Sequence, residues 1–265
     1  MPRFYAVGLV AALTVGVGGL VPRAAATADD EQQVGQEVFE ELKARGEVIS
    51  ASPLYDVLTP VVAPIAKTAQ PRYNHPLKFY LVHEAKPNAF ATPGGNVYVT
   101  DALLYFVRNT EELAGTLCHE VAHTINHDSM KLIQKEREIE RRQLGAAILL
   151  GPSRAHVLAI SLIGKLRSLG YSRDAESGAD LTGADVCAAS GSNPWGLVWL
   201  FEDFDKADTA QVPQLLSNHP DNPHRVAALK AHFREQPQVF ASFASDPAKA
   251  KPFTAPKDAP EAFYR

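Results

Sequence analysis

Apolar residues recur at helical spacing through residues 34–49, where Val34, Val38, Phe39 and Leu42 share one stripe. Residues 54–69 keep the same rhythm and predict a second helix, strained by Pro60 and Pro64, each of which removes a helical donor. The pattern then changes. LKFYLVHE (77–84) is rich in β-formers and reads as a strand. AFATPGGNVYVT (89–100) divides into two extended pieces around a Pro-Gly-Gly turn, with a short helix over 101–107.

NTEELAGTLCHEVAHTINHD is the clearest helix of the chain. Asn109 suits the N-cap, Glu112 stands in capping-box position, and Leu113, Leu117 and Val121 follow at helical spacing. A charged helix is expected over 130–142 and an apolar one over 155–168. Residues 171–190 form a further helix with Ser172 as N-cap. Asn193-Pro194 opens another, and the last runs from about Asn222 to Phe233. From Pro237 the chain is rich in Pro, Ala, Lys and Asp and reads as a poorly ordered tail over 237–265. Many helices that do not alternate with a few strands predict an α+β fold, mostly helical with one small sheet.

The first 28 residues differ from the rest. Arg3 precedes an apolar run from Phe4 to Val21, then Pro22, small residues and acidic sequence, the layout of a signal peptide cleaved after Ala26 or Ala28. The other reading is an uncleaved anchor, near the lower length limit for spanning a bilayer. Either places residues 29–236, the expected catalytic domain, outside the cytoplasm, in the periplasm of a diderm bacterium. A formal net charge of -4 over 265 residues shows no nucleic-acid footprint, and at most peripheral membrane contact is expected. Cys118 and Cys187 are the two cysteines. They read either as two buried thiols or, in an exported protein, as a disulfide.

The candidate chemistry lies in CHEVAHTINHD (118–128). His119 and His123 are one helical turn apart and can aim ring nitrogens at one point, as zinc requires. Glu120 is rotated by about 100° and can reach a water there as general base. Metzincins continue HExxHxxGxxH, but Asn126 and Ser129 occupy the Gly and last His positions, which excludes that class. The third ligand must then come from elsewhere. GYSRDAESGAD offers Glu176, with Asp180 one turn on to accept a hydrogen bond from a ligand imidazole. Asp174 and Asp185 are the rivals.

HEVAH with ESGAD resembles the gluzincin peptidases of the Ste-type CAAX prenyl protease and mitochondrial Oma family, in particular their soluble bacterial periplasmic branch. NAFATPGGNVYVTDALL (88–104) and SNHPDNPHRV (217–226) resemble further landmarks of that family. The resemblance implies one Zn2+ per chain on His119, His123 and Glu176, and hydrolysis of peptide bonds with Glu120 as general base. His219 and Arg225 are its candidates for stabilising the oxyanion. His219 can instead fill the open zinc position at rest, and Arg225 can instead form a structural ion pair near Asp180 or Glu176.

Asn88, Ala89, Phe90 and Ala91, with Asn96, Val97, Tyr98 and Val99, are expected at the sheet edge beside the zinc, where an extended polypeptide can add as a strand. Asn88 and Asn96 can orient its backbone, or serve only as turn residues. The leading expectation is a metalloendopeptidase acting on extended or misfolded envelope or outer-membrane proteins. The alternative is a chaperone-like quality-control protein with a latent, plugged zinc site.

Overall fold

The computed structural model describes residues 28–144, 163–164, 170–204 and 222–256. The signal segment, the apolar stretch preceding residue 163 and His219 lie outside them. The described residues are mostly helical with one four-stranded mixed sheet, an α+β arrangement. Among them no helix is long and apolar enough to cross a membrane.

Helix α1 (Ala28–Ala44) stops earlier than its periodicity predicts. Gly46 adopts φ 71, and the chain turns into strand β1 (Val48–Ile49). Helix α2 (Leu54–Ala69) runs unbroken through both prolines. Pro60 and its carbonyl partner Asp56 face solvent, so the carbonyl that loses its donor stays hydrated. The inner face of α2, including Leu58 and Ile65, packs into the main core with Leu81, Val97, Val99, Leu113 and Leu117.

Strands β2 (Lys78–Val82), β3 (Ala89–Thr92) and β4 (Asn96–Thr100) complete the sheet in the order β1-β2-β4-β3. β4 pairs parallel with β2 and antiparallel with β3. It is therefore interior, which corrects the expectation that Asn96, Val97, Tyr98 and Val99 lie at the edge. Val97 and Val99 join the main core, and Tyr98 stacks on Phe90 and Tyr80. Asn96 donates from its side chain to the Gly35 carbonyl (3.1 Å) and so ties α1 to the β3–β4 turn instead of facing substrate. Of these two strands only β3 lies at an edge, and β1 forms the opposite one.

After the short α3 (Asp101–Phe106) comes α4 (Thr110–Ile125), buried from Glu112 to Thr124. Its N-terminus is closed as expected: the Asn109 side chain accepts from the Glu112 amide at 2.8 Å. The Glu112 carboxylate turns back to the Asn109 side chain and to the Arg108 amide. Helices α5 (Asp128–Leu144), α6 (Arg173–Ala189), α7 (Trp195–Phe204) and α8 (Asn222–Glu235) follow. α6 passes against α4 at Gly183, where a Cβ would meet the Cys118 oxygen and the His119 Cα at 3.0 Å. A side chain there would push the two backbones apart by a few tenths of an ångström, so glycine suits so close a crossing.

The tail corrects the sequence reading over 237–256. Helix α9 (Pro237–Phe240) buries Phe240 in the main core, and Phe253 and Ala255 pack on the same cluster. The Lys251 carbonyl accepts from the Thr110 amide and the Phe253 amide donates to Arg108, so this segment lies across the start of α4. Two aromatic anchors outweigh a composition that otherwise suggests disorder.

Candidate active site

α4 and α6 bring the site together. His119 and His123, one turn apart on α4, direct their Nε2 atoms to within 3.0 Å of each other. Glu176 on α6 comes to 3.4 Å from Nε2 of His119 and 3.6 Å from Nε2 of His123. All three side chains are buried. Of the rivals, Asp174 is exposed and Asp185 bonds His232, so neither reaches the site.

Behind each imidazole stands a carboxylate. Asp180 lies 3.0 Å from Nδ1 of His119, and Asp128 lies 2.9 Å from Nδ1 of His123. Each carboxylate accepts the Nδ1 proton, which leaves a lone pair on each Nε2 when the ring is neutral. Two lone pairs and a carboxylate converging in a dry pocket repel one another unless a cation sits among them. The separations of 3.0, 3.4 and 3.6 Å bracket the about 3.3 Å expected between ligand atoms of a tetrahedral zinc site. The donor set thus fits a divalent metal. Among the described residues this is the one group of three or more side chains that could hold one.

Without a metal, the same field holds a proton. Burial pulls the His119 imidazole down, but hydrogen bonds to Asp180 and Glu176 outweigh it and push its pKa up to about 9.

Asp128 is a functional residue that the spacing of the motif does not indicate. It enters the site through the turn after α4, where His127 takes φ 55. His127 bonds Glu31 at 2.6 Å, and Glu31 also accepts from the Tyr73 hydroxyl, so α1 braces the turn. Its signal is an Asp five residues past the second His, off the helical stripe that His119 and His123 share.

Arg225 occupies the place the sequence left as its alternative. Its guanidinium forks onto Asp180 through Nε (2.7 Å) and Nη2 (2.6 Å), and Nη1 lies 3.2 Å from Glu176. Its face covers the Phe201 ring at 4.4 Å. This geometry positions Glu176 and Asp180. Asp180 is correspondingly held below the usual carboxylate range: burial raises it, but Arg225 and His119 outweigh that.

Glu120 is fully buried next to His119. Its charge acts on both Tyr171 and Arg225, so it shares this pocket. Tyr171 stacks on the His123 ring at 4.0 Å between centroids. On the edge strand, the Ala91 carbonyl accepts from the Ser129 hydroxyl at 2.9 Å and from the Tyr171 hydroxyl at 3.4 Å, and the two hydroxyls bond each other at 2.7 Å. Asn88, at the head of β3, is fixed through its backbone by Thr100. Its side-chain amide is buried, with no hydrogen-bond partner among the described residues.

Residues 56–232 match the sequence profile of peptidase family M48. The chain belongs to peptidase family M48. It is a family of metalloproteases, and the buried His119, His123 and Glu176 are where this chain would hold the metal. The chain is 28% identical to the beta-barrel assembly-enhancing protease of Escherichia coli (strain K12) over 178 residues, which covers 63% of this chain and 37% of that protein. The enzyme of the same name from Yersinia pestis is 27% identical over 225 residues, 77% of this chain and 45% of that protein. The mitochondrial metalloendopeptidase OMA1 of Schizosaccharomyces pombe is 28% identical over 155 residues, 58% of this chain and 45% of that protein. The matches thus span less than half the length of these relatives.

Proposed function

We propose that this chain is an exported, zinc-dependent metalloendopeptidase that hydrolyses peptide bonds in extended or misfolded envelope proteins. The observation that carries the reading is the convergence of His119, His123 and Glu176 beside the buried carboxylate of Glu120. Zinc bound there supplies Lewis acidity toward the scissile carbonyl and toward water. Glu120 takes the proton from the attacking water and returns it to the leaving amine. Asp128, Asp180 and Arg225 hold the ligand side chains in place. The edge strand β3 receives the substrate backbone, and the Asn88 amide supplies the polar contact that an extended peptide needs in so dry a place.

Export rests on the sequence of the first 28 residues and is consistent with the beta-barrel assembly-enhancing proteases being similar to this chain. The test is cleavage of an unfolded protein by the zinc-loaded chain and by its Glu120→Gln variant. One observation favours a second reading, a chaperone-like protein with a latent site: Ser129 and Tyr171 close off the Ala91 carbonyl of the edge strand. A cellular role that survives Glu120→Gln intact would favour that reading over proteolysis.

A further inference from the structure

The seam that carries the metal ligands continues beyond them. On α6, Glu176, Asp180, Gly183 and Cys187 follow at helical spacing and form one stripe facing α4. Glu176 and Asp180 meet His119, Gly183 meets the backbone at Cys118 and His119, and Cys187 meets Cys118. The two Sγ atoms lie 2.7 Å apart, and both residues are buried. Neither sulfur takes part in the candidate metal site, and among the described residues no further metal-binding side chains gather around the pair.

We propose that Cys118 and Cys187 form a disulfide in the mature protein, a covalent staple that holds α4 and α6 in register whether or not the metal is bound. The inference rests on the export proposed above, because such a bridge persists in an oxidising compartment. Each thiol gives up its hydrogen, the Sγ–Sγ bond forms, and the two electrons and two protons pass to an oxidised disulfide partner, either a protein disulfide, which becomes a dithiol, or oxidised glutathione, which becomes two glutathione thiols. Because the sulfurs are enclosed in the finished fold, the exchange precedes the final packing of α4 on α6. Metal and disulfide then cross-link the same helix pair at two heights. Chelation alone leaves the seam stapled, and only reduction together with chelation frees it.

The test is thiol mapping of the full chain, refolded in a glutathione redox buffer and, separately, purified without reductant from the exporting cell. Each sample is denatured, alkylated and weighed. The expected result is two unreactive cysteines that become alkylated only after reductant, a melting temperature lowered by about 5–15 °C on reduction, and a helical circular-dichroism signal that survives chelator alone. The Cys118→Ala/Cys187→Ala variant should bind zinc as before and lose the reductant sensitivity. Two alkylated cysteines in the denatured, unreduced, refolded chain would overturn the proposal, as would an equal reductant effect in the double variant. Cell fractionation reads the export separately. A cytoplasmic chain contradicts export while the refolding arm still reports the bridge, whereas an exported chain with two free thiols contradicts the bridge alone.

Discussion

Asp128 accepts the Nδ1 proton of His123 across 2.9 Å, inside a pocket where both residues are buried. The contact fixes the ring so that Nε2 faces His119 and Glu176. Asp128→Ala removes that constraint and leaves His123 free to take the other tautomer. Zinc affinity should fall about 10–100-fold, read by competition with a chromophoric chelator. An unchanged affinity would mean that Asp128 only anchors α5.

The field around His119 makes the metal-free protein pH-sensitive. Its folded pKa of about 9 exceeds the ordinary 6.5, so protonation stabilises the metal-free fold. That contribution is fully present below about pH 6.5 and is lost as pH rises through about 9. Chelated protein should therefore melt at progressively lower temperature between these values. Zinc displaces the same proton, so zinc affinity should rise over that window. A flat melting profile for chelated protein would contradict the hydrogen bonding assigned to His119.

Arg225 separates two roles by two different readouts. As the partner of buried Asp180 and Glu176, its replacement by Met strands two carboxylates and should cost about 3–5 kcal/mol in urea unfolding. Arg225→Lys keeps the charge without the fork and should recover only part of this. Normal stability with a reduced kcat would instead favour the oxyanion role suggested by family resemblance.

Asn88 makes the opposite prediction for stability. Its amide bonds nothing among the described residues, so Asn88→Ala should leave the melting temperature level or slightly higher. Loss of its bond to substrate should lower kcat/KM on an unfolded protein by about 10–100-fold. A marked drop in stability would place the amide in the resting fold's own hydrogen bonding.

Local signals in the sequence carried well into the structure, and contacts between distant segments did not. The Asn109–Glu112 cap and the His119/His123 pair lie within single turns, so spacing alone reveals them. β4 was misplaced at the edge because its second neighbour, β2, joins it in parallel across an intervening strand, a pairing no local pattern encodes. Glu176 was recognisable only through its motif, since the crossing that delivers it depends on Gly183 meeting the α4 backbone. Asp128 lay in view, two residues past Asn126, but a left-handed residue between helices was needed to swing it behind His123. The 237–256 segment was hidden by its composition, although Phe240 and Phe253 bind it to the core.

The central claim is that His119, His123 and Glu176 hold a zinc ion beside Glu120 acting as base. Zinc content and casein cleavage, measured on never-chelated wild type and on Glu120→Gln, test it most directly. The account predicts one zinc per chain in both proteins, cleavage by the wild type, and a loss of activity of at least about 100-fold in the variant. Absence of zinc from the wild type, or undiminished cleavage by Glu120→Gln, would contradict it.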